Sequence, residues 1–437
     1  MYYQTDFSPE EFQRRRRAIM DKIGSQAIAV LSGFGATGAF DYFRQSNEFY
    51  YLTGVEVPHA YLRIDGSTGE STLYLPHHDA KHERSEGAQL HCDAPDAVRR
   101  ITGVERIAPL PQLGNYVLGA MTIYMPRSPA EGRQACQDTL RYRSHLAAAD
   151  PWDQGLSREA YLQSRIASIA PHATFQDLSP LLNALRAIKS PAELALMRRA
   201  GTLTAEAVLA AIRQTRVGMM EYQLAAVADQ IFASGGARSA GYRAIVASGS
   251  NIWNAHYFRN NCPLQDGELV LMDYAPDLGC YTSDIGRMWP VNGRYSRLQR
   301  ELYGFVVAYH EILLQVLRPG RTVAELAREA ADRIRPAWSQ WPFSKECYRT
   351  AAHKMIESEV AFTHPVGMAV HDVGDYRHEA LRPGVVFALD PQMWVPEESL
   401  YIRVEDTVAI TESGVENFTD AVPRDLDAIE AEMHCQR

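Results

Sequence analysis

The chain has 437 residues, 46% hydrophobic and 22% charged, with a formal net charge of −9 at pH 7. That length suits two or three domains with real cores, and the composition excludes a disordered or low-complexity chain. The acidic balance argues against a nucleic-acid partner, which would need a Lys/Arg surface.

No window approaches the roughly 20 apolar residues of a membrane span, and no apolar run follows a charged start. A soluble, cytoplasmic protein without a membrane partner is expected. The six cysteines, at 92, 136, 262, 280, 347 and 435, show no zinc-like spacing and read as reduced and mostly structural.

In chain order, Phe7 to Gly24 reads as a helix, with Ser8 as cap, Pro9 in the first turn, Glu11 three residues after Ser8 and Gly24 as stop. Its basic run, Arg14 to Arg17, is expected on a solvated face. Ala27 to Leu31 reads as a strand and the aromatic segment Asn47 to Gly54 as another. Tyr61 to Ile64 and Ser71 to Leu75 flank a hairpin loop. This half reads as an α/β domain with few convergent polar groups and no chemistry of its own.

A second domain is expected to start within Leu181 to Arg199, giving domains 1–180 and 181–437. Ser190, Pro191 and Glu193 repeat the cap, proline and capping-glutamate pattern. Helical patterns follow at Glu221 to Phe232, Ser296 to Val316 and Thr322 to Ile334, with strands at Ala244 to Ala247, Pro383 to Trp394 and Leu400 to Ile410. The stretch before Val360 has no clear assignment. The class is α+β.

The stretch LVLMDYAPDLGCYTSDIGRMW, Leu269 to Trp289, carries Asp273 and Asp284 in strand-like apolar context. With Leu278-Gly279 as a two-residue hairpin loop, Asp273 would face Asp284 directly. Opposed carboxylates repel at about 5 Å, and a hard cation would remove that penalty. A solvated turn is the plainer alternative for such a pair. Further along come His364 and His371 near proline and glycine, Asp390 after five apolar residues, and Arg403 and Glu405 on one face of a period-two run. Together Asp273, Asp284, His364, Asp390 and Glu405 form one imidazole and four carboxylates. That set is too oxygen-rich for structural zinc and suits a pair of manganese, cobalt or iron ions. Such a pair, about 3.5 to 4 Å apart, can hold a bridging hydroxide, so the chemistry implied is hydrolysis.

The motifs NEFYYLTG, LRAIKSPAELALMRRA, DYAPDLGCYTSD, HPVGMAVHDVG and RVEDT, in that order, resemble the aminopeptidase P and prolidase family of pita-bread metallopeptidases over nearly the whole chain. The resemblance implies a pita-bread catalytic domain behind a smaller, non-catalytic α/β domain. It implies two divalent ions, manganese first, with cobalt, iron or zinc as alternatives, and a proline-containing peptide as substrate. Asp273 would bind one metal, Asp284 and Glu405 would bridge both, and His364 would bind the other. His256 and His371 would hold substrate or stabilise the tetrahedral intermediate, and Arg403 would orient a ligand. A homo-dimer or homo-tetramer is also implied.

The chain departs from the family at Asp390, where a glutamate serves as ligand and general base. Gln392 replaces a glycine, and Val360 a histidine. An Xaa-Pro aminopeptidase is the first expectation. A prolidase-like dipeptidase, another C–N or ester hydrolase of the fold, and a catalytically silent binding module are the alternatives.

Overall fold

The structure is a computed structural model that describes residues 4–35, 43–152 and 155–435. Two compact units, Met1–Arg186 and Ala187–Arg437, divide within the helix Ser179–Ala187.

The first unit is built on a six-stranded mixed sheet of β1 (Ala27–Ser32), β2 (Tyr61–Asp65), β3 (Glu70–Leu75), β4 (Arg106–Pro109), β5 (Thr122–Met125) and β6 (Thr174–Asp177), in the order β4-β3-β2-β1-β5-β6. Helix α1 (Pro9–Ile23) starts after Ser8 and stops at Gly24, as its punctuation predicts.

Asn47 to Gly54, expected as a strand, is instead helix α2 (Asn47–Thr53). All seven of its residues are buried, so no polar face is left to reveal a helical period, and a short apolar run reads the same either way. Gly54 ends it in the left-handed region at φ 66°, where an added Cβ would lie 2.4 Å from the Phe12 ring.

The basic run of α1 also departs from expectation. Arg14 and Arg17 face solvent, whereas Arg15 and Arg16 are each only 1% exposed. Arg15 Nη1 donates to the Tyr51 carbonyl at 3.0 Å and Arg16 Nη1 to that of Leu52 at 2.8 Å. These carbonyls belong to the last turn of α2, where acceptors lack helical partners and the dipole favours cations. Burial pushes the Arg16 guanidinium down to about 10, which leaves it charged at neutral pH. Arg16→Met removes this donor while keeping most of the volume. We expect it to cost about 1.5–3 kcal/mol, read as a lower urea midpoint.

The second unit carries a seven-stranded antiparallel sheet of β8 (Ile245–Ser248), β9 (Leu269–Asp273), β11 (Ile285–Pro290), β12 (Phe362–Pro365), β13 (Val386–Leu389), β16 (Glu405–Ile410) and β17 (Val415–Asn417). Its order is β12-β13-β16-β11-β9-β8, with β17 on β16. Two small antiparallel pairs accompany it: β7 (Ser239–Ala240) with β10 (Pro276–Asp277), and β14 (Gln392–Val395) with β15 (Leu400–Arg403). Its helices include Pro191–Gln214, Glu221–Ser234, Arg297–Val316 and Val323–Gln340, the last running past the expected Ile334 with Pro336 inside it. Glu346–Ile356, in the stretch without a clear assignment, is also helical. Ser190 and Glu193 form the reciprocal capping box read from the sequence.

The hairpin register differs from expectation by two residues. Asp273 pairs with Gly286, and the tip is Gly279-Cys280, closed by reciprocal Leu278–Tyr281 bonds of 2.8 and 3.0 Å. Gly279 and Cys280 have φ of 60° and 67°, the doubly positive turn that matches strand twist. Moving the loop by one residue moves the pairing by two, which keeps each side chain on its side of the sheet. Asp273 and Asp284 are therefore diagonal rather than directly opposed.

Candidate metal centre

Strand termini supply the polar cluster. Asp273 is the last residue of β9, Asp284 directly precedes β11, and His364 lies in β12. Asp390 directly follows β13, Arg403 ends β15 and Glu405 begins β16. Cross-strand pairing sets Gly286 against both Asp273 and Glu405. The glycine matters because a Cβ there would meet Glu405 Cβ and Oε2 at 3.1 Å.

Three carboxylates surround one guanidinium, and a fourth, Asp284, stands beside them. Arg403 Nη1 donates to Asp273 Oδ2 at 2.9 Å, while its Nε and Nη2 donate to the two oxygens of Asp390 at 3.0 and 2.8 Å. Nη2 also contacts Glu405 Oε2. His364 Nε2 lies 3.4 Å from Asp284 Oδ2, and ligand atoms of Asp284, His364 and Glu405 all fall within 4.8 Å of one another. The His371 ring stands 4.1 Å from that of His364 and 6.0 Å from that of His256, so the three imidazoles form a row beside the acids. His256 is exposed and His371 half-buried.

Electrostatics make this cluster unstable as a set of bare anions. Burial holds the carboxyls of Asp284, Asp390 and Glu405 above the ordinary range, with neighbouring carboxylates pushing the same way and Arg403 opposing. Four carboxylates against one guanidinium leave about three uncompensated negative charges in a buried site, an arrangement that demands cations. Asp273 Oδ1 and Glu405 Oε1 are buried and make no hydrogen bond. His364 is held well below its ordinary value by burial and by His371, which leaves a neutral imidazole lone pair. Orphaned carboxylate oxygens, a neutral imidazole and an excess of negative charge fit two hard or borderline divalent cations.

Sequence reasoning missed the groups that hold the acids. Tyr242 Oη donates to Asp284 Oδ1 at 2.8 Å. Thr407 Oγ1 accepts from the Asp284 amide at 2.6 Å and donates to its carbonyl at 2.8 Å. Thr407 stands within RVEDT and was legible by position, whereas nothing around Tyr242 marks it. Behind the acids, Asp406 is bound by Arg287 at 2.6 Å and is held at about 2 by Arg287, His310 and Arg424, against its burial. The departure at 392 also has a structural role: Gln392 Nε2 donates to Asp390 Oδ2, and its Oε1 accepts from Trp394 Nε1 at 3.3 Å.

Residues 195–412 match Metallopeptidase family M24, and residues 12–124 match Aminopeptidase P, N-terminal domain. The chain belongs to Metallopeptidase family M24. Xaa-Pro aminopeptidase of Escherichia coli is 32% identical over 99% of both chains, and human Xaa-Pro aminopeptidase 3 is 28% identical over 97% of this chain and 85% of its own. A Glu-to-Ala variant of E. coli aminopeptidase P in complex with substrate superposes with a TM-score of 0.79 at 30% identity, covering 98% of this chain and 99% of the other. The zinc-substituted E. coli enzyme in complex with product gives 0.79 at 30% identity, over 99% and 100%. The architecture expected from the motifs, a pita-bread catalytic domain behind a smaller N-terminal domain, is the one found.

Proposed function

We propose that this protein is a dinuclear metallopeptidase that releases the N-terminal residue from Xaa-Pro peptides. The observation that carries the reading is the meeting of the buried Asp273, Asp284, Asp390 and Glu405 with the half-buried His364 in a chain whose relatives are named for that activity. These five side chains would hold the two ions. Bound there, the ions would supply Lewis acidity and a water nucleophile at neutral pH.

The remaining work falls to the chain's own groups. Arg403 fixes the rotamers of Asp273, Asp390 and Glu405 through its fork of donors. His371 and His256 reach across the open side, where they grip the peptide and donate to the oxyanion. Asp390 takes the proton of the attacking water and passes it to the leaving amine. Manganese is the proposed physiological ion, and a homo-oligomer in the cytoplasm the proposed working form.

Asp390 and Gln392 act as a matched pair in this reading, the amide packing against the shorter acid. Gln392→Gly alone is expected to weaken metal binding about 10–100-fold, as loss of a group holding a ligand does. Asp390→Glu alone drives its extra methylene toward Gln392 and Arg403 and lowers turnover. The double variant should recover to within about tenfold of the parent. A double-mutant cycle on kcat and on metal affinity measures the coupling.

The direct test is metal content by elemental analysis, followed by hydrolysis of Xaa-Pro-Xaa and Xaa-Pro peptides with added manganese. Two ions per chain and release of the first residue from the tripeptide are expected. Stoichiometric metal without turnover of any proline peptide would establish a silent binding module instead. Turnover of dipeptides alone would establish a prolidase-like enzyme.

A further inference from the structure

The first unit, read from the sequence as having no chemistry of its own, gathers an unusual set of donors between β3 and the helix Pro95–Thr102. The segment holds His77, His78, His82, His91, Cys92 and Asp93 within 17 residues of a chain that has 14 histidines in all. Several of these histidines line a cavity of about 360 Å³.

At its edge, His77 Nδ1 lies 2.8 Å from Asp93 Oδ1 and 3.4 Å from Cys92 Sγ, and Cys92 Sγ lies 3.9 Å from Asp93 Oδ1. A tetrahedral zinc-type ion, with bonds near 2.0–2.3 Å, sets its donors about 3.3–3.8 Å apart. Two of the three separations already stand close to that spacing, and the imidazole–carboxylate pair needs to open by only about 0.5 Å.

Backbone contacts hold the donors in place. The Cys92 amide donates to the Pro76 carbonyl at 3.0 Å, and the His78 amide to Asp93 Oδ2 at 2.7 Å. The buried Nδ1 of His91, 3.5 Å from Asp93 Oδ2, makes no hydrogen bond and is a candidate for a fourth donor.

We propose that His77, Cys92 and Asp93 form a second metal site for a borderline-soft divalent cation of the zinc type. Sulfur and imidazole select zinc or cobalt over magnesium or calcium, and thiolate plus carboxylate match the ion's two charges. Binding releases one proton, from the Cys92 thiol, and moves the proton of the His77 ring to Nε2, so that Nδ1 presents its lone pair. The ion would staple the end of β3 to the turn before Pro95 and close the excursion that carries the helix Ala80–Glu86.

The test is a cobalt titration of the full-length protein after its catalytic centre has been filled with manganese. The catalytic donors include no sulfur, so a near-ultraviolet thiolate-to-cobalt charge-transfer band reports a cysteine site alone. We expect one equivalent to produce that band, Cys92→Ser to abolish it, and His77→Ala or Asp93→Asn to weaken binding at least tenfold. Far-UV circular dichroism of each variant should match the parent, and Cys92→Ser should keep full peptide turnover with manganese. A titration without the band, or a band that survives Cys92→Ser, overturns the proposal and leaves the peptidase reading untouched.

Discussion

Asp284→Asn is expected to lower kcat on an Xaa-Pro peptide by about 10²–10³-fold or more, the scale for losing one well-placed electrostatic group in an active site. Elemental analysis should show the metal content falling at the same time. The substitution keeps the shape of the side chain, and the amide oxygen can still accept from Tyr242 Oη, so the fold should survive. Its effect on stability should change sign with metal. In the loaded protein a ligand is lost and the melting temperature falls. In the chelated protein one of four mutually repelling acids is neutralised, and the melting temperature rises. A structural residue with no metal to hold would show no such reversal.

Removing the metals should destabilise the protein strongly at neutral pH and less in acid. Two ions, each present at about 100 times its dissociation constant, contribute about 5 kcal/mol together, or roughly 10–20 °C in melting temperature for a unit of this size. The pH dependence follows from Asp284, Asp390 and Glu405, whose folded values lie above the ordinary carboxylate range. The metal-free folded state retains protons that the unfolded chain has already released, so its stability falls as pH rises from about 4 through the raised values. Below that range both states are protonated and the loss is absent. Melting curves of chelated and manganese-loaded protein from pH 4 to 8 should therefore diverge toward neutral pH, and parallel curves would show that the acids are not clustered as described.

How far the sequence can be read depends on whether a feature is local. The capping box at Ser190 is legible because cap and glutamate lie three residues apart. Asp273, Asp284, Asp390 and Glu405 drew attention because a charge inside an apolar strand must find a partner. What failed was non-local or depended on fine backbone choice. Asn47 to Thr53 hid its helical period because tertiary packing buries it on every side. The hairpin register turned on which two residues of the tip take positive φ, and Cys280 gives no hint that it is one of them. Arg15 and Arg16 looked like surface charge because their acceptors, the carbonyls of Tyr51 and Leu52, lie 36 residues away. Gln392 reads as a plain departure in the sequence, because only the folded strand turns its amide onto Asp390.

The proposed ligating groups all sit at or beside strand ends, and they come from β9, the start of β11, β12, the end of β13 and the start of β16. No two neighbouring elements bring together more than two of the five groups, so a chain emerging from the ribosome does not complete the site until residue 405 has joined the sheet. Long-range pairing of this kind folds slowly, and ion capture then becomes the last event of maturation rather than its trigger. Choice of metal would accordingly be made by a finished cavity with fixed walls, sampling whatever ions its compartment offers, and a truncated or nicked chain would let its ions go all at once.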